Sequence, residues 1–117
     1  MNVLFEGDDA RLEVRDERIL KVDGEADFDS AASLAAKGRE WLQGLSRDAE
    51  IEFDLTGVSC ASSAVLSVLL EWLRCAQAHD VHIVHVALSH PLARLTAMAG
   101  LDPLLPSDEA RVLSETS

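Results

Sequence analysis

Ile51-Glu52-Phe53-Asp54-Leu55 alternates strictly between apolar and polar side chains and runs directly into Thr56-Gly57. A period of two marks a strand with one buried face, and the threonine-glycine pair is a turn signal. After a short loop, residues 58–61, the period changes. Ser62-Ser63-Ala64-Val65-Leu66-Ser67-Val68-Leu69-Leu70 opens a run to about residue 78 with apolar side chains at helical spacing. The β-branched, apolar stretch 81–87 then supplies a returning strand. Strand, helix and strand in this order form a right-handed crossover between parallel strands.

The same reading extends outward to both ends. Residues 11–15 and 18–22 alternate approximately, with Leu12, Val14, Leu20 and Val22 as the apolar members, and Asp16-Glu17 between them predicts a hairpin. Beyond Gly24, Asp29-Ser30 offers a helix cap, and Leu34, Trp41, Leu42 and Leu45 recur at helical spacing, which predicts a helix over about 30–45. His90-Pro91 begins a third helix, because proline suits a first helical turn, and Leu92, Leu95, Met98 and Ala99 mark its buried side up to Gly100. The order is β-β-α-β-α-β-α. The expected fold class is therefore α/β, a single domain over residues 1–106 with a mostly parallel four-stranded sheet, an antiparallel opening hairpin and three packed helices. Residues 107–117 read as a polar C-terminal tail.

Composition narrows the function. The 117 residues are 48% hydrophobic and 26% charged, which suits one domain with a core that needs no disulfide or metal. The formal net charge of −11 disfavours nucleic acid and anionic lipid as direct partners, since both recruit clustered Lys and Arg. The longest apolar stretch, 64–73, is broken by Ser67 and Glu71 and is about half the length a bilayer requires. The start shows no basic segment followed by an apolar core, so the expected location is cytoplasmic. Cys60 and Cys75 have no metal-ligand spacing and read as structural, Cys75 within the apolar pattern of the second helix.

On that helix, Val65, Val68, Leu69, Trp72, Leu73 and Ala76 fall on one broad side, expected to pack on the sheet. The opposite stripe carries Ser63, Ser67, Leu70, Arg74, Gln77 and Ala78, with Leu70 expected to be exposed and small Ser63, Ala64 and Ser67 clearing space for an approaching chain. Ser62 is the expected cap, accepting a backbone N–H bond. Ser63 would project from the first turn, where the helix dipole favours negative charge, and is a candidate phosphoacceptor.

Three segments together resemble the STAS domains, named from sulfate transporters and anti-sigma factor antagonists. They are Gly24-Glu25-Ala26-Asp27, Phe53-Asp54-Leu55-Thr56-Gly57-Val58-Ser59 and the Ser62-Ser63 helix start. Ser62 to Leu70, followed by Ala99-Gly100-Leu101 and Leu104-Leu105-Pro106, is similar to the small stand-alone STAS subunits of bacterial lipid-asymmetry ABC transporters. That resemblance implies a subunit that binds the transporter's cytosolic ATPase and is peripheral to the inner membrane through it. Ser63 matches the family's contact hydroxyl, and Ser67, Leu70 and Arg74 extend the implied contact. In anti-sigma factor antagonists the matching hydroxyl is phosphorylated by a partner kinase and commonly follows an aspartate. Here Ser62 precedes it, and Ala64 and Val65 replace the glycines often found after it.

Catalysis is not expected. A serine hydrolase using Ser62 or Ser63 would need a base from His79, His82, His85 or His90, but neither a Gly-x-Ser-x-Gly elbow nor a recognisable orienting acid is present. His82 and His85, three apart on a strand, are expected on opposite faces and so not to share a metal. Gly24, Gly57 and Gly100 are isolated and form no phosphate-binding loop. Trp41 and Trp72 read as packing anchors. No cofactor or metal is expected.

Overall fold

The alternating stretch centred on Phe53 lies inside the sheet, flanked by a strand on each side, and the rest of the fold is arranged around it. The structure is a computed structural model that describes residues 2–7, 10–25, 28–59 and 62–100. Among these residues the elements are β1 (Asn2–Glu6), β2 (Ala10–Arg15), β3 (Ile19–Gly24), α1 (Phe28–Gln43), β4 (Glu50–Val58), α2 (Ser63–Ala78), β5 (His82–Leu88) and α3 (His90–Met98). The strands lie side by side in chain order. The β1–β2 and β2–β3 pairs are antiparallel, and β3–β4 and β4–β5 are parallel.

The class is α/β as expected, but the four-stranded, mostly parallel sheet is corrected to a five-stranded mixed one. The unexpected strand is β1. Val3-Leu4-Phe5 places three apolar residues in succession, so no period of two is visible there, and a register shift between Val3 and Phe5 interrupts the alternation. The hairpin at Asp16-Glu17 forms as read, with both residues at positive φ, 53° and 62°. Helix α1 begins at Phe28, so Asp29 and Ser30 lie inside its first turn and are not its cap. The tail 107–117 and Cys60 lie outside the described residues.

Two successive right-handed crossovers, through α1 and α2, place both helices on the same face of the sheet. Leu12, Val14, Leu20, Val22, Ile51, Phe53, Leu55 and Val86 point to that face and meet Leu34 and Leu42 of α1, Leu69 and Trp72 of α2 and Leu92 of α3 in one core. Trp72 ties three elements together. Its ring meets Phe53 of β4 at a centroid distance of 5.5 Å, and its indole N–H donates to the Ala35 carbonyl of α1 at 3.3 Å. Gly38 makes that approach feasible, because a Cβ there would lie 2.3 Å from Trp72 Nε1. The indole thus has a polar partner while its rings are fully buried, which removes the main cost of burying tryptophan.

A crossover also fixes direction. Helices α1, α2 and α3 follow the carboxyl ends of β3, β4 and β5, so all three helices start along one edge of the molecule. Ligand and partner sites of open α/β sheets favour this edge.

Candidate docking face at the start of the second helix

The site begins with how β4 ends. Lys21 of β3 pairs with Asp54 and Asp23 pairs with Gly57, so three residue steps on β4 match two on β3. The additional residue makes a bulge, which is why the strand continues to Val58 instead of turning at Thr56-Gly57 as the sequence predicts. The bulge shifts the alternation by one position. Leu55 and Val58, three apart, are both buried, and Thr56 between them is exposed. Asp54 Oδ1 accepts from the Thr56 N–H at 3.0 Å and from its hydroxyl at 2.6 Å. Lys21 Nζ lies 3.6 Å from Asp54 Oδ2 and 3.3 Å from Asp23 Oδ1. Partial burial acts to raise the Asp54 pKa, but the Thr56 hydrogen bonds and the Lys21 ammonium outweigh it and hold the carboxyl below its ordinary value.

Past the bulge, the Ser59 N–H donates to the Gly24 carbonyl at 3.0 Å, and α2 begins a few residues later. Ser62 is its N-cap, as the sequence predicts: the backbone is extended (φ −144°, ψ 163°) and its hydroxyl accepts from the Val65 N–H at 3.4 Å. Ser63 is the first helical residue and is exposed. No acidic residue occupies the first turn.

Exposure along α2 divides it into two sides. Val65, Val68, Leu69, Trp72 and Ala76 are buried as expected, and Leu73 is partly so. Ser63, Ser67, Arg74, Gln77 and Ala78 are exposed. Two expectations change. Leu70 is half-buried, because it sits on the side of the stripe nearer Leu66 and Leu73. Ala64 is buried at 4% exposure, since one residue beyond Ser63 turns the helix by about 100° toward the core, so it does not clear space for a partner. The exposed stripe is therefore Ser63, Ser67, Arg74, Gln77 and Ala78 with half-buried Leu70 among them, and Arg74 is its single cation. Beside it Glu71 pairs with Arg39 of α1, joining the two helices at the surface.

The other candidate groups lie elsewhere. Cys75 is buried beneath this pair, its Sγ 3.9 Å from the Arg39 carbonyl, and burial raises its pKa although Arg39 acts to lower it, which leaves a poor nucleophile. A register shift in β5 pairs His82 with Glu50 and His85 with Glu52, with Val84 as the additional residue between. The two histidines therefore share the face of the sheet away from the helices, contrary to the expectation from strict alternation. They do not act together: His82 Nε2 is 3.2 Å from Asp48, and His85 Nδ1 is 4.0 Å from Glu52. Among the described residues no group of three or more His, Cys, Asp or Glu is placed to hold a metal ion, and no helix is long and apolar enough to cross a membrane. Periodicity alone does not single out Lys21, Asp54 and Thr56 as a unit, although the Asp-x-Thr spacing next to a predicted turn is a signal for a side chain capturing a backbone N–H.

Residues 10–106 match the family model described as "Mlab, STAS domain". Among solved structures the chain is similar to the anti-sigma factor antagonist SpoIIAA in its unphosphorylated form. That match has a TM-score of 0.63 and 17% identity, and covers 81% of this chain and 84% of the other. No curated protein matches by sequence.

Proposed function

The chain belongs to the STAS-domain family, and from that premise we propose that it is a non-catalytic, MlaB-like subunit that docks on the ATPase of a phospholipid-transport ABC complex maintaining outer-membrane lipid asymmetry. The contact consists of Ser63, Ser67, Leu70 and Arg74, with Ser62 holding the helix start beneath it. The protein resides in the cytoplasm, held at the inner membrane by its partner. The observation that carries this reading is the division of α2: a stripe of small hydroxyls, a leucine edge and one arginine stays exposed on a helix whose other side is locked into the core. Small side chains at a helix start let a partner's backbone come close, and the leucine edge gives it an apolar anchor. An ATPase held this way is stabilised in whichever conformation makes the better contact.

A second reading is favoured by the exposure of Ser63 at the first helical position, where backbone N–H groups suit a phosphate. It is an anti-sigma factor antagonist switched by a kinase at Ser63. A tagged pull-down from native cells with mass spectrometry separates the readings, comparing the wild type with a Ser63→Arg, Leu70→Glu double variant. Recovery of an ABC ATPase by the wild type alone is the expected result. Recovery of a sigma-pathway kinase, with a phosphorylated fraction at Ser63 in the intact mass, would replace it with the switch. Equal recovery by both chains would place the contact on another surface.

A further inference from the structure

We infer that Lys21, Asp54 and Thr56, on the face of the sheet away from the helices, are positioning residues for the α2 docking edge: they fix the β4 bulge that sets where the helix starts. The inference rests on the docking reading for its functional consequence, but its structural part stands separately.

The bulge is a choice between two registers. Without the additional residue, strict alternation from Leu55 would turn Gly57 to the core and Val58 away from it, since a one-residue slip exchanges the two faces of a strand. With it, Val58 is buried at 1% exposure and Gly57 stands against Asp23. The cost of the bulge is a backbone N–H withdrawn from the ladder, and the Asp54 carboxylate satisfies the Thr56 N–H with a charge-assisted bond. Lys21 then bridges Asp54 and Asp23, the residues on either side of the register change. Gly57 completes the device, because a Cβ there would lie 1.9 Å from Asp23 Oδ1.

Ser59 is bonded to the end of β3, and the capping residue Ser62 comes three positions later. A shift of one position at Thr56 would be passed to Ser62, whose hydroxyl and carbonyl accept from the Val65 and Leu66 N–H groups. The docking edge is thus set from the opposite face of the sheet, by residues outside the proposed contact.

Native-state amide hydrogen exchange of the full chain tests this, comparing wild type with Asp54→Ala, the milder Lys21→Met and the conservative Thr56→Ser. Asp54→Ala should speed exchange about tenfold at Thr56 and also at Val65 and Leu66, with the β2 amides unchanged, the scale expected for losing one charge-assisted bond. Lys21→Met should show a smaller version of that pattern, and Thr56→Ser should resemble wild type. Acceleration confined to β4, or spread evenly over β2 and β5, would overturn the inference. A binding measurement with the purified ABC ATPase adds the functional consequence: several-fold weaker binding by Asp54→Ala is expected, and binding equal to that of a wild type that does bind would overturn it. If wild type itself does not bind the ATPase, the docking reading falls and the exchange pattern alone decides the positioning.

Discussion

The two sides of α2 come from the same sixteen residues but are governed by different physics. The inner side is settled by area: Val65, Val68, Leu69 and Trp72 leave water together, and Trp72 adds a hydrogen bond to Ala35. The outer side is settled by what it lacks. Ser63 and Ser67 have little surface to bury, and Arg74 keeps its charge in water. Stability should therefore respond to the inner side and partner binding to the outer, with Ser62, at the junction, affecting both.

The largest expected effect on stability comes from the inner side. Trp72→Ala removes the ring that joins α1, α2 and β4, and should cost about 3–5 kcal/mol in denaturant unfolding. Next is Gly38→Ala, which drives a methyl into the same indole; overpacking of about 1–3 kcal/mol outweighs the roughly 1 kcal/mol gained in helix propensity. A stabilised Gly38→Ala variant would show that Trp72 can move and that the inner side is looser than described. Ser62→Ala removes the cap and should cost about 1 kcal/mol, with a modest loss of ATPase binding because the helix start frays. The smallest stability effect is at the surface: Ser63→Arg should change stability by less than about 0.5 kcal/mol while abolishing binding. A large loss of stability from this substitution would break the division between the two sides.

Much of the fold was legible because its periods are clean. Glu50 to Leu55 alternates with nothing to interrupt it, and the buried residues of α2 repeat at helical spacing, so both elements and the cap at Ser62 follow from the chain. The failures in the strands fall at bulges, whereas in α3 Met98 and Ala99, read as buried, are exposed because they end the helix beyond the core. A bulge changes the phase of a strand without changing composition, so β1, the extension of β4 past Thr56 and the shared face of His82 and His85 were all hidden by the assumption of strict alternation. The exposed stripe of α2 was legible in outline, since Ser63, Ser67 and Arg74 are exposed as predicted. The exposure of Leu70 and Ala64 was not, because helical spacing gives a direction and leaves open how far the neighbouring layer extends. The Lys21–Asp54–Thr56 group lay beyond reach for a related reason: Lys21 and Asp54 are far apart in sequence and meet through strand register alone.

The central claim, that the exposed stripe of α2 meets the ATPase, is tested most directly by site-specific photocrosslinking in native cells. One probe replaces Ser67 on the stripe, and a second replaces Val84, exposed on the β5 edge. The account predicts an adduct with the ABC ATPase from position 67 and none from position 84. An ATPase adduct from position 84 alone, or a kinase adduct from position 67, would contradict it.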